Sequence, residues 1–252
     1  MYRNVYLRCD RLRKYADANA FTVPGKAILC RKIATSLKTQ HANQKLLLLG
    51  GDIGWNALLL CGFLPDARIC LIEKSRVAIR YARTICSNAR SRFVRGDVRR
   101  KEVRWEAFDA VVVAFFLHLL PDWREFLSGV CSKMRKGAVL AVATVAEEQW
   151  KHNTLGRYLP KNGLPVFVET NDILSIARGQ WMKCVSSETV VRVDAISTAE
   201  IPVAFSRYSN SFLYRLGRTQ LTALHRRLAN ISSNGLVSVR FDCQLMIFRK
   251  AR

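Results

Sequence analysis

Short apolar runs alternate with segments of helical length through the first half of this chain. The runs consist of consecutive large aliphatic residues, which is typical of strands that are buried on both faces of a parallel sheet. Strands that alternate with helices form βαβ units. The sequence therefore predicts an α/β fold with a doubly wound, mostly parallel sheet. The predicted strands are 45–49, 68–73, 92–97, 108–117 and 138–144, and the predicted helices between them are 55–63, 76–88 and 123–134.

The segments outside this core predict additions to a single domain that spans residues 1–252. Residues 1–44 have a helical pattern, which Pro24 and Gly25 divide into an N-terminal arm and a helix that leads into the core at 45–144. Beyond the fifth strand, residues 145–235 begin with a stretch rich in glycine and proline, which indicates an inserted lid. The outer elements that we expect are helices 171–179 and 219–230, a strand at 182–193 and a final strand within 236–252.

The charge of the chain is far from balanced. Its 252 residues include 41 Lys and Arg against 19 Asp and Glu, giving a formal net charge of +22. Such an excess favours an acidic partner. The candidates are nucleic acid, an anionic membrane and an acidic carrier protein. A lineage whose proteins are all basic would give the same excess, so charge alone does not separate these interpretations.

The cysteines and the apolar segments indicate a cytoplasmic protein. The eight cysteines form no C-x-x-C pair, and several lie in apolar runs, which is typical of reduced, buried thiols rather than of a zinc site or disulfides. We expect no metal. The longest apolar run, 110–120, is too short to span a bilayer, and the first residues lack the apolar stretch of a signal peptide.

A glycine-containing turn follows the first strand and reads Gly50-Gly51-Asp52-Ile53-Gly54. Such a turn lets the backbone approach a ligand and directs the amides of the next helix towards it. Glu73 ends the second strand nineteen residues after Gly54, near the spacing at which an acid binds a ribose hydroxyl. Gly96-Asp97-Val98 then ends the third strand, and Phe108-Asp109 opens the fourth. The four features in this order predict a nucleoside site.

This series resembles the motifs of class I S-adenosylmethionine (SAM) dependent methyltransferases, and the match covers residues 45–144. The resemblance implies a Rossmann-like, seven-stranded methyltransferase fold, with SAM as the cofactor. It also implies that Gly50, Asp52 and Gly54 flank the methionine moiety, that Glu73 binds the ribose, and that Asp97 and the Val98 amide face the adenine. Phe115, at the end of the fourth strand, is expected to present its ring to the cofactor sulfonium.

The glycine turn departs from that family at two positions. The acid expected two residues before the first glycine is Leu48, and the middle glycine is Asp52. The resemblance then implies that SAM binds either through altered contacts or weakly. A pseudoenzyme is a further alternative.

The outer segments resemble the malonyl-acyl-carrier-protein O-methyltransferases of biotin synthesis. The resemblance rests on Tyr15 in the N-terminal arm, on Thr219-Gln220-Leu221 in a late helix and on the order of the last strand, although that strand lacks the family's Thr-Tyr pair. It implies methylation of a malonyl carboxylate on an acidic acyl carrier protein. Tyr15 and His118 are the candidate catalytic residues in the acceptor pocket. The candidate docking residues for the carrier are Arg207, Arg215, Arg218, Arg226 and Arg227.

Each of these assignments has an alternative. His118 also fits a histidine in the core or at a helix start, Tyr15 a packing residue, and the arginines a solvated basic helix. Two other functions remain open for the whole chain: an RNA methyltransferase that uses the basic surface, and a non-catalytic assembly factor that kept the fold. A malonyl carboxylate is ionised at pH 7 and needs no general base, which agrees with the lack of a convincing His–acid or Ser–His pair in the sequence.

Overall fold

The computed structural model describes residues 23–37, 43–50, 53–86, 90–99, 103–158, 167–205 and 217–251. The strands are β1 (Lys45–Leu49), β2 (Arg68–Glu73), β3 (Ser91–Arg95), β4 (Ala110–Ala114), β5 (Val139–Thr144), β6 (Met182–Ser197) and β7 (Leu236–Lys250). The described residues form one seven-stranded sheet in the order β3-β2-β1-β4-β5-β7-β6. Strands β1 to β5 pair in parallel, and β7 runs antiparallel between β5 and β6. The predicted doubly wound, mostly parallel sheet is confirmed.

The helices cover both faces of the sheet. They are α1 (Val23–Leu37), α2 (Trp55–Phe63), α3 (Arg76–Ile85), α4 (Trp123–Lys133), α5 (Glu147–His152), α6 (Thr154–Tyr158), α7 (Thr170–Gly179), α8 (Ile201–Ala204) and α9 (Arg218–Asn230). Buried side chains of α1, α2, α3 and α9 form one apolar core with the sheet, and those of α4 and α7 form the other.

The residues of β1 show why its sequence is a continuous apolar run. Successive side chains of a strand point to opposite faces. Leu46 and Leu48 accordingly lie in the α1–α2–α3 core, whereas Leu47 and Leu49 lie in the α4–α7 core, and all four are at most 2% exposed. Each face of the strand is covered, so neither face has room for a polar residue.

The structure corrects the predicted bounds of several elements. Strand β4 ends at Ala114 instead of residue 117, because Phe115 turns into a left-handed backbone conformation with φ 52° and a short 3-10 helix, Leu117–Leu119, follows. Strand β6 continues to Ser197, four residues beyond the prediction, because its antiparallel partner β7 pairs with it as far as Leu236. Helix α1 begins at Val23, so Pro24 and Gly25 lie in its first turn, where proline is tolerated.

Two further properties concern the buried thiols and the helices of the described residues. Burial raises the pKa of Cys30, Cys131 and Cys243 to about 12, so these thiols are neutral and unreactive at pH 7. Within the described ranges, no helix combines the length and apolarity needed to cross a bilayer.

Asp109, in the motif that opens the fourth strand, holds the amino ends of the central strands together. Its Oδ2 accepts a hydrogen bond of 2.7 Å from the Lys45 amide, and its carboxylate pairs with Arg135. Its backbone carbonyl accepts the Val139 amide at 2.9 Å. Since Asp109 is only 7% exposed, its carboxylate connects β1, β4 and the turn before β5 at the end of the sheet away from the glycine turn.

We expect Asp109→Ala to lower the free energy of unfolding by about 3 kcal/mol, because it leaves the Lys45 amide and the Arg135 guanidinium without their acceptor. Urea denaturation measures the change. The matched control is Asp66→Ala, whose exposed ion pair with Arg90 (3.0 Å) should contribute less than about 1 kcal/mol. Equal effects of the two substitutions would contradict the structural role of Asp109.

Candidate cofactor and acceptor site

The loops that carry the predicted site residues meet at one edge of the sheet. Leu49, the last residue of β1, pairs with Ile72 in β2 and with Val113 in β4. Glu73, the last residue of β2, pairs with Arg95 at the end of β3. Because these strands are parallel, the segments that follow all four lie side by side. The sequence motifs, which are dispersed over some seventy residues (50–118), are therefore brought together.

This edge contains the point where the strand order reverses. The chain proceeds from β1 to β2 and β3 on one side, and then returns to β4 and β5 on the other. Open α/β sheets bind ligands in the crevice at such a point, outside the carboxyl ends of the strands. Gly50 and Phe115 begin the two loops that border it, and Glu73 lies one strand away.

Both described glycines of the turn have backbone conformations that favour glycine. Gly50 has φ 63° and Gly54 has φ 97°. A Cβ on Gly54 would lie 2.7 Å from the Ala82 Cβ and 2.9 Å from its Cα, so a glycine is what lets α2 start against α3. A Cβ on Gly50 would overlap the ring of Phe116. Gly51 and Asp52 lie outside the described residues.

Glu73 is held by the turn that follows β2. Its Oε1 accepts a hydrogen bond of 2.8 Å from the Ser75 amide, and the Ser75 hydroxyl in turn accepts the Ala78 amide at 3.2 Å to cap α3. The Glu73 carbonyl accepts the Gly96 amide at 3.1 Å, which fixes the end of β3 against β2. A half-buried carboxylate that is oriented in this way suits hydrogen bonds from a vicinal diol such as a ribose.

Asp97 and Val98 follow at the next strand end. Hydrogen bonds and an ion pair from the Arg99 guanidinium (2.6 Å), together with Lys74 at 3.7 Å, hold the pKa of Asp97 well below its usual range. Asp97 is therefore ionised at pH 7, and its carboxylate is bound by Arg99. Val98 is 5% exposed and belongs to the same apolar core as Ile72.

Two phenylalanines follow β4, and the sequence had singled out only the first. The Phe115 amide donates to the Ala143 carbonyl at 2.8 Å, and its ring meets the Phe241 ring edge-on at 5.9 Å between centroids. A left-handed conformation in a residue other than glycine costs about 1–3 kcal/mol and is often found at functional sites. Phe116 contacts Gly50 and stacks edge-on with Phe126 at 5.9 Å. The signal for Phe116 was available as the second ring of an aromatic pair at a strand end.

The structure describes only one of the two predicted catalytic residues. His118 lies in the 3-10 helix after β4 and is half-buried, two residues from Phe116. Tyr15 lies outside the described residues, as do Arg207 and Arg215. The structure therefore brings together Gly50, Gly54, Glu73, Asp97, Val98, Phe115 and His118 at one edge of the sheet.

Comparisons with known proteins identify the central part of the chain. Residues 47–137 match the model of a methyltransferase domain family. No curated protein sequence matches the chain.

Solved structures share the fold at low sequence identity. The protein in complex with the Haloferax volcanii Trm112 methyltransferase activator has a TM-score of 0.64 at 13% identity, with 99% of this chain and 98% of that chain covered. The plantazolicin methyltransferase BpumL, solved with S-adenosylhomocysteine, has 0.58 at 12%, covering 97% and 92%. The N-methyltransferase NodS of Bradyrhizobium japonicum, also solved with S-adenosylhomocysteine, has 0.53 at 17%, covering 88% and 87%.

The sheet order and these similar structures show that the chain has a Rossmann-like methyltransferase fold. The family match covers residues 47–137, and S-adenosylhomocysteine in two of the similar solved structures makes SAM the cofactor that this fold implies. The residues present fit that cofactor, because two glycines with positive φ and a fixed carboxylate lie at neighbouring strand ends.

Proposed function

We propose that this chain methylates the free carboxylate of a malonyl group carried on an acidic acyl carrier protein, in the synthesis of a biotin precursor. SAM supplies an electrophilic methyl group on a sulfonium. The malonyl carboxylate oxygen attacks that methyl carbon, the carbon–sulfur bond breaks, and its electron pair stays on sulfur. No proton is transferred, so the chain has only to orient the acceptor and exclude water.

The contact between Phe115 and Phe241 is the observation that carries this proposal. Phe241 lies in β7, within the segment that resembles the carrier-protein methyltransferases, and Phe115 lies at the end of β4 beside the glycine turn. The edge-on ring pair therefore joins the acceptor-side strand to the cofactor side. Phe241 is still 40% exposed, so an aromatic surface remains for a sulfonium or for the acyl group.

The other residues of the site have roles that follow from this arrangement. In the proposal, Gly50, Asp52 and Gly54 border the methionine moiety, Glu73 accepts the ribose hydroxyls, and Asp97 with the Val98 amide faces the adenine. Tyr15 and His118 line the acceptor pocket, and segment 145–235 covers it. The described cysteines have no disulfide, in keeping with a cytoplasmic site of action.

Helix α9 supplies the docking surface for the carrier in this proposal. Leu224 and Leu228 face the core, whereas Arg218, Arg226 and Arg227 are exposed. An acidic carrier would complement such a face. A protein partner is also compatible with this fold, since the similar Haloferax chain is in complex with the Trm112 activator.

RNA is the second candidate acceptor, because the net charge of +22 equally suits a phosphate backbone. Purified protein with methyl-labelled SAM should transfer label to malonyl carrier protein and not to total RNA. Label in RNA alone would replace the first candidate by the second. If neither acceptor takes up label and calorimetry detects no SAM binding, a non-catalytic assembly factor is the function that remains.

The pH dependence of methyl transfer tests the absence of a general base. The malonyl carboxyl is already ionised above about pH 5, so we expect the single-turnover rate constant to be constant between about pH 6 and pH 9. An acceptor that needs deprotonation by a base would instead give a rate that rises about tenfold per pH unit below the pKa of that base. Such a rise would contradict a carboxylate acceptor.

A further inference from the structure

A second basic surface lies at the β3 edge of the sheet, the edge away from β7 and β6. An open groove of about 660 Å³ runs between α3 and the edge strand β3, and it is lined by Arg83, Cys86 and Ser91–Arg95. Strand β3 is the outermost strand at this edge, five positions from β7 in the sheet order. The groove is therefore distinct from the crevice at the strand ends and from the proposed carrier-docking surface.

The groove and the adjoining face of α3 carry five exposed arginines. Arg83, Arg92 and Arg95 line the groove, and Arg76 and Arg80 precede Arg83 at helical spacings of seven and three residues. All five side chains are exposed. We refer to these five residues together as the arginine row.

The arginine row lacks carboxylate partners. Within the part of the chain that the structure describes, none of its members lies within ion-pair distance of an acid, whereas the neighbouring Arg90 pairs with Asp66 at 3.0 Å. One member has a hydrogen bond to protein, from the Arg83 Nη2 to the Phe93 carbonyl at 3.0 Å. The row thus keeps its charge available to solvent or to a ligand.

Like charges three or four residues apart on a helix destabilise it by about 0.2–0.5 kcal/mol per pair. A bound anion with several charges would remove this repulsion. The guanidinium group is a planar fork whose parallel N–H donors match phosphate oxygens, and it is weakly hydrated for a cation. Several such groups around one groove suit an anion that carries several phosphates better than they suit one small anion.

The groove is long enough for an extended chain. Strand β3 spans five residues, or roughly 13 Å between its first and last Cα at about 3.3 Å per residue. Because the groove is open to solvent, a single polynucleotide strand can lie along it.

We propose that this groove binds the phosphodiester backbone of single-stranded nucleic acid through the arginine row. The carboxyl end of the groove is Arg95, followed directly by Gly96 and Asp97 at the cofactor edge. A strand that follows β3 would therefore pass beside the adenine side of the cofactor site. The inference does not depend on the carboxylate acceptor proposed above, because binding is measured without methyl transfer.

The test is fluorescence anisotropy of a labelled oligouridylate of 15 nucleotides with the full chain, from 50 to 200 mM salt. Arg92→Gln with Arg95→Gln removes two groove charges and keeps the Arg83–Phe93 hydrogen bond. We expect about tenfold weaker binding near 150 mM salt. We also expect the slope of log Kd against log salt to fall by about 1.4, since each single-strand phosphate contact contributes about 0.7.

The matched control is Arg218→Gln with Arg226→Gln, which removes the same charge from the exposed face of α9 and should change Kd less than about twofold. Thermal melting checks that both variants are folded. Equal losses in the two variants would mean that only diffuse charge attracts RNA, and would overturn the proposal. The proposal would also be overturned if the unaltered chain did not bind the oligonucleotide. The same holds if the groove variant lost affinity for acyl carrier protein but not for the oligonucleotide. Because no methyl group is transferred in this assay, its result is independent of whether the acceptor proposal fails.

Discussion

Glu73→Ala is expected to weaken SAM binding about 100-fold, as measured by calorimetry. In the proposed complex the Glu73 carboxylate accepts hydrogen bonds from both ribose hydroxyls. Hydrogen bonds to a charged acceptor contribute about 1.5–3 kcal/mol each, so losing two of them from a partly solvated site corresponds to about 3 kcal/mol, or two decades in Kd. The affinity for S-adenosylhomocysteine should fall by the same factor, because this ligand carries the same ribose.

Two further variants separate this role from a structural one. Glu73 also accepts the Ser75 amide at 2.8 Å, and Glu73→Gln keeps a carbonyl oxygen for that contact while removing the charge. We expect an intermediate loss of affinity with unchanged melting temperature. The matched control is Glu106→Ala, which removes an exposed acid that pairs with Arg104 at 3.4 Å and should leave Kd unchanged. Equal affinity of Glu73→Ala and the unaltered protein would show that the ribose contact is misassigned.

Gly54→Ala should lower the free energy of unfolding by about 3 kcal/mol or more, as measured by urea denaturation. Alanine in the left-handed region at φ 97° costs about 1–2 kcal/mol. Its Cβ would also lie 2.9 Å from the Ala82 Cα, and backbone atoms cannot rotate away. Separating α2 from α3 adds about 1–3 kcal/mol of overpacking. Against a typical stability of about 5–15 kcal/mol, this is a large fraction.

Other glycines of the chain provide the comparison. Gly62 lies near the end of α2 with no atom within 4 Å of its would-be Cβ, so Gly62→Ala should be neutral or stabilising by up to about 1 kcal/mol. The new Cβ of Gly50→Ala would meet the Phe116 side chain first, so Phe116→Ala should relieve that part of its effect in a double-mutant cycle. If Gly54→Ala and Gly62→Ala had equal effects, the close contact of α2 with α3 would be refuted.

The sheet could be predicted because its strands are buried on both faces. The leucines of β1 face two cores in alternation, and that requirement leaves a continuous apolar run that is legible in one sequence. The predicted end of β4 was wrong because the apolar run continues beyond the end of the strand. Residues 108–117 are almost uniformly apolar, yet Phe115 leaves the strand through a positive φ, and no local pattern marks a phenylalanine for that conformation.

The site was predictable as a set of chain positions but not as a set of contacts. The spacing of Gly54, Glu73 and Asp97 along a βαβ chain is local information, and the parallel register converts it into proximity. Contacts such as that of Phe241 with Phe115 join residues that are 126 positions apart. They depend on the insertion of β7 between β5 and β6, which periodicity does not specify.

The position of β7 also has a consequence for how the chain folds during synthesis. Strand β6 has β7 as its sheet partner, and β5 has β7 on its outer side. Residues 236–250 leave the ribosome about forty residues after β6 does, and until then β6 has no neighbour with which to pair. The half that contains β1 to β5 can become ordered early from its sequential βαβ units. The pairing of β7 with β5 and β6 comes later and joins segments that are far apart in the chain. Such long-range pairing is a slow folding step.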